Sequence, residues 1–185
     1  MNMAVLLLQA AMVAATMTFF VVGLAINELL FTRLEFSSGI NWIYLPAGVR
    51  LLATLLFAEA GALGLLLISW LVCFFYFFPN DFERSFVGGV LAALAPYLVY
   101  RMAQYQFGLH ASLANLSPKR LLFLIVAYSL ASPLFHHIWF ALRGAQGGLQ
   151  SFFVMFVGDL TGTLLVVYAV KVGLSLIPVP HSKIR

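Results

Sequence analysis

The 185-residue chain is 63% hydrophobic and 9% charged, with ten lysines and arginines against six acidic residues, and its mean hydropathy is +1.03. A soluble domain of this length cannot cover so much apolar surface, so the composition excludes a water-soluble globular protein and points to an all-α membrane helical bundle. The lone Cys73 excludes a disulfide framework and a cysteine metal site, and the sparse basic residues form no stripe that would hold nucleic acid.

A hydrocarbon core of about 30 Å takes about 20 helical residues to cross, so this length predicts about six spans in one integral membrane domain, residues 1–185, with the lipid bilayer as its surroundings. Met3 to Ile26 is the first span, apolar throughout and lacking the basic start of a secretory signal. Ala10 and Ala14, with Ala11 and Ala15, repeat at helical spacing and form a smooth face for packing inside the bundle. Asn27 to Ile40 mixes Glu28, Arg33 and Glu35 with large apolar residues, which suits an amphipathic connection at the interface.

From Asn41 to Phe78 the apolar run is too long for one span. It breaks between Ala58 and Gly61, giving a short second helix and a full third one, Ala62 to Phe78. The third ends in an aromatic belt, FFYFF, before Pro79. Phe86 to Gln104 is the fourth span, bent or loosened at Pro96. After a polar connection, Ser117 caps and Pro118 opens the fifth span, which runs to about Leu142 through Pro133. The loop RGAQGGLQ leads to a sixth span, Ser151 to Ile177, and a short basic tail. With six spans, Arg101, Lys119, Arg120, Lys171, Lys183 and Arg185 fall on the side of the termini and Arg33, Arg84 and Arg143 on the other, which places both termini in the cytoplasm.

Arg50 and Asp159 are charges inside spans, each eight residues from an outer helix end at Trp42 or Ser151 and so roughly 12 Å deep. His136 and His137 fall at a similar level on the fifth span, and Thr54 shares the helical face of Arg50. An unpaired charge at such depth costs at least ~2.5–3.5 kcal/mol. Two arrangements satisfy that constraint. One is a polar pocket open to the outside, in which Arg50 orients an anion or holds Asp159 poised for a proton or ligand. The other is an Arg50–Asp159 ion pair that fixes helix register. Adjacent histidines point about 100° apart, so His136 and His137 do not together ligate one metal. Gly158 and Gly162 carry a GxxxG spacing that lets a neighbouring backbone approach. Glu59, at the turn, reads as a solvated residue. No nucleophile stands at a convincing spacing from a base, and no glycine-rich phosphate loop or metal cluster is visible, so neither an enzyme nor a cofactor is expected.

Trp42 to Gly48 (WIYLPAG), followed by LLATLLF and Gly61 or Gly64, together with Gly158, Asp159 and Gly162 in FVGDLTGTLLV, resembles two helices of the MASE-type integral membrane sensor domains of bacteria. Pro46, Gly48, Gly158, Asp159 and Gly162 stand on the matched positions. The resemblance implies an inner-membrane bundle that senses an input and passes it to a protein partner. Family members usually have more spans and are joined to an output domain, and six spans without one are expected here. The size, the helix number and the alanine face also resemble the substrate-binding S components of energy-coupling-factor transporters. That likeness implies a small-molecule ligand in an outward pocket and a membrane partner docked on the alanines. A structural membrane subunit is the third expectation.

Overall fold

The computed structural model describes residues 2–144 and 148–176. Five helices are long and apolar enough to cross a membrane, and the chain is an all-α, multi-pass membrane protein. Helix α1 spans Met3–Phe31, α2 Leu45–Val72, α3 Phe82–Phe107, α4 Pro118–Leu142 and α5 Leu149–Ser175. The end of the sixth expected span at Ile177 and the tail with Lys183 and Arg185 lie outside the described residues.

The expected second and third spans are the two arms of α2. Ala58, at φ 50° and ψ −125°, is non-helical, and there the chain doubles back. A Cβ on Gly61 would overlap the carbonyl oxygen of Ala53, although residues eight apart on a straight helix are separated by about 12 Å. The returning arm continues through a π-helical turn, Cys73–Phe77, whose end lies beside Ser38, with the Ser38 hydroxyl 3.5 Å from the Phe77 carbonyl. The five helices therefore make six passes. One end of the bundle carries Ala58 and the 108–117 connection. The other carries residues 35–44, 78–81, 143–144 and 148.

The connection after α1 differs from an interfacial amphipathic stretch. Helix α1 continues to Phe31 and closes in a 3-10 turn, Thr32–Leu34. Strands β1 (Glu35–Ser37) and β2 (Ile40–Asn41) then pair antiparallel about Gly39, which takes φ 80°. From β2 to the start of α2 the chain enters the bundle without helical structure: Ile40, Asn41 and Tyr44 are all buried. Backbone in that state needs protein partners, because lipid offers none. Helix α5 supplies them through the Gly158 carbonyl, which accepts from the Tyr44 amide at 3.1 Å, and the Thr161 hydroxyl, whose one proton is shared between the Val157 carbonyl of its own helix at 2.7 Å and the Trp42 carbonyl at 3.1 Å. Asn27 of α1, fully buried, accepts from the Leu45 amide at 2.9 Å and so caps the first turn of α2.

Small residues set the spacing of the core. Cβ atoms on Gly158 and Gly162 would overlap the carbonyl oxygens of Asn41 and Tyr44, and one on Gly48 would come within 2.6 Å of the Val166 side chain. The WIYLPAG and GDLTG segments are thus packed directly on one another. Helix α1 packs through Thr16, Phe20, Leu24 and Asn27. Ala10 and Ala14 are exposed, a correction to their expected place in the bundle interior: they point away from α2, the helix that α1 contacts most.

Candidate functional site

Arg50, in the first turns of α2, and Asp159, beside Gly158 on α5, line one cavity of about 70 Å³ to which all five helices contribute. Both are buried, at 9% and 4% exposure, but they are not an ion pair. Among the described residues the ion pairs are Arg101 with Glu59, at 3.5 Å, and Arg143 with Glu83. The register-fixing pair therefore does not form, and Glu59 sits with Arg101 at the reversal end, away from the cavity.

The Arg50 guanidinium lies 5.2 Å from the Phe20 ring and 5.3 Å from the Tyr44 ring, and its Nη2 donates to the Tyr44 hydroxyl at 3.4 Å. Tyr128 stands beside it from α4. These contacts solvate the cation with aromatic faces and a hydroxyl, but they leave its Nε without a hydrogen-bond partner. Ser132 of α4 approaches the Asp159 carboxylate, whose Oδ2 likewise has no partner. Two residues that line the same small space thus each keep one buried polar atom without a partner, a donor on one and an acceptor on the other, and do not pair with each other, a costly state that native interiors seldom keep without a use.

The two histidines diverge. His136 lines the cavity, and its Nδ1 is 2.9 Å from the Ser132 carbonyl. A carbonyl only accepts, so Nδ1 carries the proton and a neutral ring has Nε2 left as acceptor. His137 is not at the cavity. Its Nδ1 meets the Pro133 carbonyl at 2.8 Å and its Nε2 meets the Ser151 hydroxyl at 2.9 Å, which ties α4 to the start of α5. Thr54 also lies off the site: its hydroxyl is spent on the Leu51 carbonyl at 2.9 Å, with the Pro96 carbonyl of α3 at 3.4 Å. Its four-residue spacing from Arg50 gave the same face, but that face points at α3 one turn deeper.

Sequence reasoning missed Tyr44, Asn27, Ser132 and Arg84. Arg84, in the first turn of α3, stacks on Phe78 at 3.9 Å and lines both the cavity and a vestibule of about 460 Å³ at the hairpin end. Ile40, Trp139 and Phe140 are shared by the two spaces and form the wall between them. The polar cavity thus adjoins an opening on the β1–β2 side, flanked by Asp81, Glu83 and Arg143. Among the described residues no group of histidine, cysteine and acidic side chains is arranged to hold a metal ion.

Fold and site together define a polytopic helical membrane protein with a charged cavity between its helices. No family model matches the chain, and no curated protein or solved structure is significantly similar to it.

Proposed function

We propose that this chain is a receptor of the bacterial inner membrane, with both termini cytoplasmic, that takes a small polar ligand into its outward cavity and passes the event to a membrane partner, as its resemblance to MASE-type sensor domains suggests. One observation carries this reading: Arg50 and Asp159, both buried in one cavity, keep a donor and an acceptor unpaired. A scaffold gains nothing from that arrangement, since apolar residues of similar volume would be as stable or more so. The orientation rests on the basic residues. Arg101, Lys119, Arg120 and Lys171 gather toward the reversal end, which agrees with a cytoplasmic position for that end and an extracytoplasmic one for the vestibule.

The alternative is a ligand-capturing subunit of an importer, like the S components of energy-coupling-factor transporters. The exposed Ala10 and Ala14 on α1 favour it, because small residues on a free helix face suit a docking transmembrane partner. The two readings share the cavity and differ in the partner.

Native mass spectrometry of the detergent-extracted protein from its own cells tests them together. The expected spectrum contains a bound small molecule that disappears in Arg50→Ala and Asp159→Asn. A co-extracted kinase or cyclase supports sensing, and an ATPase supports import. A complex carrying no small molecule and unchanged by both substitutions makes the chain a structural subunit.

A further inference from the structure

We infer that the cavity is built for a compact zwitterion, an oxyanion and an ammonium group a few bonds apart, with the oxyanion at Arg50 and the ammonium at Asp159. The inference rests on the ligand-binding reading above and assigns its chemistry. Three observations on the cavity carry it.

The first is charge. Two guanidinium groups, Arg50 and Arg84, and one carboxylate, Asp159, line the cavity, and none of the three is engaged in an ion pair among the described residues. A simple anion would satisfy the arginines and leave Asp159 facing a like charge. A simple cation would do the reverse to Arg50. A molecule carrying both charges satisfies both walls.

The second is hydrogen bonding. The Arg50 side offers donors: the guanidinium hydrogens not used on the Tyr44 hydroxyl. The Asp159 side offers acceptors: its carboxylate and, on α4, the only ring nitrogen that His136 has left, Nε2. A carboxylate or phosphate accepts and an ammonium donates three times, so the polarity of the cavity matches that of a zwitterion end to end.

The third is size. On the scale where a water needs about 10–15 Å³, a space of about 70 Å³ takes about five non-hydrogen atoms. That is the bulk of the ammonium, α-carbon and carboxylate of an amino acid. Anything attached beyond it has the larger vestibule beside it, which shares Ile40, Arg84, Trp139 and Phe140 with the cavity. Two sources offer this chemistry: a free α-amino acid from the outer aqueous phase, or the headgroup of an ethanolamine phospholipid from the bilayer.

The test is thermal unfolding of the full chain in phosphatidylcholine nanodiscs, titrated with glycine, acetate or methylammonium, and repeated in discs containing phosphatidylethanolamine. Glycine raising the midpoint at concentrations where acetate and methylammonium do not supports a free amino acid. A rise with phosphatidylethanolamine alone supports the lipid headgroup. In either case Asp159→Asn should weaken the response about ten- to hundredfold, the usual consequence of removing a charged hydrogen-bond partner. The wild-type comparison stands by itself if that variant fails to fold. Acetate acting as strongly as glycine overturns the zwitterion and leaves a plain anion receptor. No response to any probe, with a different small molecule found by native mass spectrometry, overturns the zwitterion alone. No response and no bound molecule overturns the receptor reading as well.

Discussion

Gly162 of α5 lies against the carbonyl oxygen of Tyr44 so closely that a Cβ would overlap it. Tyr44 is the residue whose hydroxyl and ring hold Arg50. The packing of one glycine is therefore coupled to the placement of the cation two turns of chain away.

Gly162→Ala and Gly158→Ala should each destabilise the protein by about 1–3 kcal/mol, the range for overpacking a filled core, because the obstructing atoms are backbone and cannot rotate aside. Gly173→Ala is the control, since a Cβ there meets nothing within 4 Å. It should be neutral or stabilise by up to ~1 kcal/mol through helix propensity. Unfolding in mixed micelles reads all three, and equal stability of Gly162→Ala and Gly173→Ala would refute the close approach.

Ala58 adopts φ 50°, a conformation that an L side chain resists and glycine accepts. Ala58→Gly should raise stability by about 1 kcal/mol. Gly61→Ala, three residues after Ala58, should lower it by at least as much by pushing against Ala53. If Ala58→Gly instead lowers the midpoint by the ordinary helix-interior penalty, α2 is a continuous helix and the double-back is wrong.

Arg50 is held by two aromatic faces and a long hydrogen bond to Tyr44, an arrangement that needs a planar cation. Arg50→Lys should therefore cost about 1–2 kcal/mol despite preserving the charge, and Tyr44→Phe about 0.5–1.5 kcal/mol. Midpoints measured against Arg101→Lys, an exposed position, separate this from a general arginine effect. An Arg50→Lys protein as stable as the wild type would mean that the rings contribute nothing.

Asn27→Leu removes the side-chain acceptor of the Leu45 amide at the point where α2 starts inside the bundle. The expected loss is about 1–3 kcal/mol, that of a buried donor left unmade. Hydrogen exchange provides the local readout: the Leu45 amide should lose protection before the middle of α2 does. Unchanged protection at Leu45 would show that another group caps the helix.

The membrane class, the helix at Pro118–Leu142 and the reversal near Ala58 were all legible in the chain, because each rests on local physics: apolar length, a serine cap before proline, and a charged residue with glycine in an over-long apolar run. That Arg50 and Asp159 come to a common level, lining one cavity, was legible for the same reason, since helical rise is fixed. Whether they touch was not. That depended on the non-helical entrance at residues 41–44, which starts α2 late, and on α5 pressing its glycines against that entrance. Likewise the four-residue spacings of Ala10 with Ala14 and of Arg50 with Thr54 put each pair on one helical face, but which neighbour a face meets is a property of the whole bundle, and neither pair met the one expected. The sequence by itself determined the solvent in which this chain folds and the rough level of its charges. Only the tertiary structure decided that Arg50 and Asp159 share a cavity without pairing, because side-chain separation across helices follows from backbone packing distances that no single segment encodes.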